Sequence, residues 1–210
     1  MQVARAYTPI NDWKDPQDPH VRFLFRVYPE GVVSPWLANK QPGDRLEVCG
    51  PTLTWTYQTN THETIDMIAG GTGVAVMHQI LRRALNDPHD QTRFRLLYAS
   101  SLPGASLALR EELKELSKRH PDRLDIHYVL GQPPEPEDLG ASNWTLSPIL
   151  NPKLVESWLP PPSSKRKVLV CGPDGMMRAV CGERATVERQ GPVTGILGGM
   201  GYGSKDVWKF

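Results

Sequence analysis

At Ile65-Asp66-Met67-Ile68-Ala69-Gly70-Gly71-Thr72-Gly73-Val74 the grammar of the chain changes. Ile65 to Ala69 is a short apolar strand, Gly70 to Gly73 a turn, and Val74, Met77, Ile80, Leu81 and Leu85 then recur at helical spacing. The alternation continues downstream. Arg93 to Ala99 is a strand, and Leu107, Leu109, Leu113 and Leu116 mark an amphipathic helix with Glu115 and Arg119 paired at i,i+4. Leu124 to Leu130 is a third strand, Pro152 to Trp158 a short helix and Lys167 to Cys171 a fourth strand. A helix follows from Pro173 through the run PDGMMRAVCGERA. Strands alternating with helices predict a doubly wound α/β domain with parallel pairing and right-handed crossovers.

Upstream the pattern differs. Val21 to Tyr28, bounded by proline-containing loops, predicts a strand; Asp44 to Cys49 predicts a second and Leu53 to Tyr57 a weaker third. Ser34 to Ala38 supplies one short helix. This front part reads as a piece of an antiparallel sheet or barrel.

Composition narrows the function classes. Of 210 residues 39% are hydrophobic, enough for one packed core and a thinner second one. Twenty-four Lys+Arg against 23 Asp+Glu leave a formal charge of +1, which gives no electrostatic reason to coat nucleic acid. No apolar stretch approaches bilayer-spanning length, and Met1 to Arg5 lacks the apolar region of a signal peptide, so the chain reads as soluble without a targeting segment. The odd set Cys49, Cys171 and Cys181 has no C-x-x-C spacing, which argues for a reducing compartment. The histidines have no zinc-ligand spacing, so no metal is expected.

Ligands of open α/β sheets bind outside the carboxyl ends of the strands. Two turns stand there. Gly70 to Gly73 opens a helix, where unpaired N–H groups, the positive dipole end and the Thr72 hydroxyl suit a phosphate; a plain tight turn explains it equally well. Cys171-Gly172-Pro173 places a thiol where it could border a planar ring, although a buried inert cysteine is the commoner case. Arg5, Tyr7 and Thr8 combine a fixed cation, an aromatic face and a hydroxyl, and Gly31-Val32-Val33-Ser34 is a further anion-suited turn. Together these suggest one dinucleotide or two.

In their order these motifs resemble the NADH–cytochrome b5 reductase branch of the ferredoxin-NADP reductase-like flavoenzymes, over nearly the whole chain. Arg5-x-Tyr7-Thr8-Pro9-Ile10 is similar to the family's flavin motif, Gly31-x-x-Ser34 to its flavin pyrophosphate motif, and Met67 to Gly73 to its NAD pyrophosphate turn. Leu109 to Leu113 resembles a recurrent helix, Cys171-Gly172-Pro173 the nicotinamide-side motif, and Phe210 the terminal aromatic. The resemblance implies a partial FAD-binding β-barrel over 1–61, incomplete because the barrel's first strands would precede Arg5, and an NAD(P)-binding α/β domain over 62–210. It implies that Arg5 holds the flavin pyrophosphate and that Tyr7 and Thr8 contact the flavin. Leu24, Arg26 and Tyr28 would border that cofactor, and Gly31, Val32, Val33 and Ser34 would cap its phosphates. Gly71, Thr72 and Gly73 would cradle NAD(P)H, while Cys171, Gly172, Pro173 and Phe210 would lie near the reacting rings. Cys171 and Thr8 are the candidate catalytic residues. The reaction implied is hydride transfer from NADH or NADPH to FAD, then single-electron release to a haem protein, as in fungal mitochondrial members. Two positions depart from the family: Ala75-Val76 stands where Thr-Pro is usual, and Ser106 where NADH-preferring members carry an acid. The competing reading is a non-catalytic NAD(P)H-binding module without stable FAD; a third is an interaction protein that uses the domain as scaffold.

Overall fold

The computed structural model describes residues 3–12, 15–101, 107–133, 143–186 and 189–210. The chain divides into two compact units, Met1–Thr56 and Tyr57–Phe210.

The second unit is built on six strands: β1 (Thr64–Gly70), β2 (Arg93–Ser100), β3 (Leu124–Leu130), β4 (Asn143–Leu146), β5 (Arg166–Cys171) and β6 (Val207–Lys209). All pair in parallel, in the spatial order β4-β3-β2-β1-β5-β6. From β1 the chain winds outward through β2, β3 and β4, then returns to the other side of β1 for β5 and β6. The direction of winding therefore reverses between β1 and β5. The central strands are apolar runs because both faces are covered. Ile68, Leu97, Val129, Val168 and Val170 form one core cluster with Val155, Met177, Val180 and Leu197, and the alternate positions Met67, Leu96, Tyr98 and Leu169 are buried as well. Charges are embedded here as well: Asp66 is fully buried, held by Arg166 at 2.9 Å and Arg95 at 3.2 Å, and Arg95 lies over the Trp158 ring.

Helices in this unit are α2 (Val74–Asn86), α3 (Arg110–Arg119), α4 (Pro152–Trp158), α5 (Asp174–Val180) and α6 (Gly195–Gly199), after α1 (Val33–Ala38) in the first. The expected helix around Leu107 and Leu109 begins only at Arg110, because Leu109 takes a left-handed conformation at φ 56°. Glu115 and Arg119 do pair, at 3.4 Å. The helix expected through residue 185 ends at Val180: Gly182 follows at φ +79°, and the Cys181 carbonyl accepts instead from the Thr194 N–H. Strands β4 and β6 and helix α6 were not legible as elements in the sequence. The expected loop 131–140 extends beyond the described residues, and Ser106 lies outside them.

In the first unit the described residues form α1 and one isolated antiparallel bridge, Pro9 to Phe23, in place of the three predicted strands. A strand is defined by a hydrogen-bonded ladder, and among the described residues of these segments only the bridge is formed. Asn11 fastens it: its side chain bonds the His20 carbonyl and Asp18, and accepts from the Arg22 N–H. Val21, Phe23, Val27, Leu46, Val48 and Leu53 are exposed.

Candidate dinucleotide site

β1 and β5 are neighbours, with Ala69 opposite Cys171, so the two turns singled out in the sequence emerge side by side. They meet at the point where the winding reverses, the place at which open α/β sheets take ligands. Gly71 sits at φ +52°, a left-handed conformation that favours glycine. A Cβ on Gly73 would stand 2.3 Å from the Cys171 carbonyl oxygen, so the two turns touch backbone to backbone. Gly71–Gly73 is a single 3₁₀ turn leading directly into α2, and no side chain caps either start. The Val74 N–H that starts the thirteen-residue helix is taken by the Gly71 and Thr72 carbonyls, so what the turn offers an anion is the positive end of the helix dipole and the Thr72 hydroxyl. Thr72 is half-buried within that turn.

On the β5 side, burial pushes the Cys171 thiol up to about 11, against the opposing pull of Arg184. It stays protonated at neutral pH and offers a polarizable, uncharged surface rather than a nucleophile. Met176, quoted in the sequence only as part of the helix after Pro173, lies against both turns: its Sδ is 2.5 Å from where a Gly70 Cβ would be, and its Cε is 2.5 Å from that position at Gly172. Phe210 also arrives here. Its N–H donates to Val170 O at 2.9 Å, and continuing the Val170–Lys209 register by one residue sets it opposite Cys171. Gly71, Thr72, Gly73, Cys171, Gly172, Pro173 and Phe210 therefore gather at one end of the sheet.

The remaining candidates gather in the first unit. Tyr7 packs edge-on to Phe25 at 6.0 Å, and Arg26 lies over the Tyr28 ring at 5.6 Å. The bridge next to Thr8 aligns the Arg5–Pro9 segment with the one carrying Leu24, Arg26 and Tyr28. The Ser34 hydroxyl accepts from the Tyr28 N–H at 3.0 Å, and Gly31 N–H donates to Tyr28 O, which draws the Gly31, Val32, Val33, Ser34 turn onto the same segment. Arg5 is exposed and donates to Ala4 O.

Two clefts, of about 200 and about 500 Å³, lie at the opposite, amino ends of the strands. Arg95 and Arg166 beside the smaller one are already engaged by Asp66, and neither cleft holds a glycine turn or a helix start. Both glycine turns and the start of α2 lie at the carboxyl ends. Among the described residues no group of three or more His, Cys, Asp or Glu could hold a metal ion, and no helix is long and apolar enough to cross a membrane.

A parallel sheet wound both ways from β1, with a glycine turn at its reversal point, defines the class of open α/β dinucleotide-binding folds. Comparison with known proteins narrows the class. The family model for the oxidoreductase NAD-binding domain matches residues 67–182, more than half of the chain, and the chain belongs to that family. The oxidoreductase FAD-binding domain model matches residues 1–57. NADH-cytochrome b5 reductase 2 of Aspergillus clavatus is 36% identical over 208 residues, 99% of this chain and 62% of that protein. NADH-cytochrome b5 reductase 1 of Lodderomyces elongisporus is 39% identical over 180 residues, 85% of this chain and 57% of that protein. The chain thus spans about three-fifths of the length of these curated relatives. Among solved structures, the cytochrome b5 reductase domain of Ulva prolifera nitrate reductase is similar at TM-score 0.68 and 27% identity, covering 96% of this chain and 71% of that one. The ferredoxin reductase of carbazole 1,9a-dioxygenase shares the fold at TM-score 0.67 and 22% identity, covering 99% and 55%.

Proposed function

We propose that this chain is an NAD(P)H-dependent flavin oxidoreductase that passes single electrons to a haem protein. The observation that carries the reading is the backbone contact between the Gly73 turn and the Cys171 strand end at the winding reversal. The residues fit a dinucleotide: the positive dipole end of α2 with no side chain capping it, a glycine at φ +52°, a hydroxyl at Thr72 and a neutral thiol at Cys171. NAD(P)H supplies a hydride when bound, and FAD turns that two-electron donor into a source of single electrons. Gly71, Thr72 and Gly73 bind the pyrophosphate, and Cys171, Gly172 and Pro173 flank the nicotinamide. Phe210, beside Cys171, shields the ring from water. In the first unit Arg5 and the Gly31 to Ser34 turn hold the flavin phosphates. Tyr7, Thr8, Leu24, Arg26 and Tyr28 would border its ring system, with Thr8 as the candidate catalytic residue on that side. The haem acceptor and a mitochondrial setting belong to the same proposal, and rest on the likeness to the fungal reductases. So does the assignment of 1–61 to flavin and 62–210 to the pyridine nucleotide.

The exposed apolar residues Val21, Phe23, Val27, Leu46, Val48 and Leu53 favour a second reading, a module that binds NAD(P)H without retaining FAD. The purified protein separates the two. Visible flavin absorption together with NADH-dependent reduction of ferricyanide supports the oxidoreductase. A colourless protein that titrates with NADH supports the module. A protein that binds neither cofactor contradicts both.

A further inference from the structure

Lys209 is fully buried, and its acceptors among the described residues are backbone carbonyls. Its Nζ donates to the carbonyl of Glu183 at 2.9 Å and to that of Pro192 at 2.8 Å. Burying an ammonium is costly unless it is hydrogen-bonded, so these carbonyls are fixed opposite it. The same residue is held a second way. β6 is an edge strand, and such strands leave backbone groups without a neighbour. The Gln190 side chain takes the neighbour's place: its Oε1 accepts from the Lys209 N–H at 2.6 Å and its Nε2 donates to the Lys209 carbonyl at 3.1 Å. Ser204 adds a bond from its hydroxyl to Gly191 O at 3.2 Å. Four hydrogen bonds thus converge on one residue, which immediately precedes Phe210 and its place opposite Cys171.

We propose that Lys209, assisted by Gln190, is a positioning residue of the dinucleotide site: the clamp onto the Glu183–Pro192 connection fixes where Phe210 lies beside Cys171. This rests on reading the β1–β5 reversal as that site. The clamp acts on the ring-facing end only, because the pyrophosphate turn at Gly71–Gly73 lies on β1, two strands away from β6.

The test uses the full chain with Lys209→Met and, separately, Gln190→Leu. Alkylation of Cys171 by iodoacetamide is followed by peptide mass spectrometry, which resolves it from Cys49 and Cys181. Lys209→Met is expected to speed Cys171 alkylation at least tenfold and Gln190→Leu about threefold, with hydrogen exchange in β1 unchanged. ADP-ribose affinity should stay within twofold of the parent, while protection of Cys171 by NAD⁺ is lost. Unchanged Cys171 reactivity in both variants, or a parallel rise in β1 exchange, overturns the positioning role. If NAD⁺ fails to protect Cys171 in the parent while both variants still expose it, the clamp stands and the site assignment fails.

Discussion

At Gly73 a single methyl group separates a working turn from a disrupted one. A Cβ there would meet backbone on the neighbouring strand at 2.3 Å, and backbone cannot rotate away as a side chain can. Gly73→Ala should cost about 2 to 3 kcal/mol in urea denaturation and abolish NADH binding, since the turns must part. A variant as stable as the parent would contradict the contact. Thr72→Val removes only a hydroxyl: NADH affinity should fall by on the order of tenfold, the worth of one hydrogen bond to a charged group, with stability unchanged. Equal affinity by titration would remove Thr72 from the site. Cys171→Ser replaces a large neutral atom where the nicotinamide is proposed to lie, so under that proposal hydride transfer in stopped flow should slow more than NADH binding weakens. Equal losses would make the cysteine a support of the fold alone.

Among the elements, those whose residues bury both faces were the easiest to read. β1, β2, β3 and β5 are apolar runs between turns, and α2 carries its buried stripe at helical spacing. β4 and β6, of four and three residues, are too short to show a period, and β6 is defined by its pairing with β5, with Gln190 bonded to its outer edge at Lys209. The segments Val21 to Tyr28 and Asp44 to Cys49 have strand composition without a ladder, because composition cannot say whether a partner is in reach. Both glycine turns were legible as motifs, but their contact required the strand order. Met176 stood in a quoted stretch without a visible task and Lys209 in none, since what each touches comes from another part of the chain. An element remote from the site supplies a control. Asn151 caps α4, its Oδ1 accepting from the Leu154 N–H at 3.0 Å. Asn151→Ala should cost about 1 kcal/mol, lowering Tm by a few degrees, with NADH affinity untouched.

For the whole molecule, the histidine pulled furthest from its ordinary pKa bears on acid stability. His78 is buried on α2 with its Nδ1 lacking any partner, and burial, aided by Arg82, pulls its pKa from 6.5 to about 4. The unfolded chain binds this proton first, so stability is lost as pH falls from about 6.5 towards about 4, by about 3 kcal/mol in all. His78→Leu should flatten that part of the profile when unfolding free energy is measured between pH 7 and pH 4. An unaltered slope would show that the imidazole is not the group responsible.

The account depends on where a pyridine dinucleotide meets this chain. Backbone amide NMR of the protein titrated with NADH reports that location residue by residue. Shifts should concentrate at Gly71, Thr72, Gly73 and Gly172, extending to Cys171 and Phe210. Shifts confined to the amino-end clefts around Asn60, Thr64 and Arg93, or none at all, would contradict it.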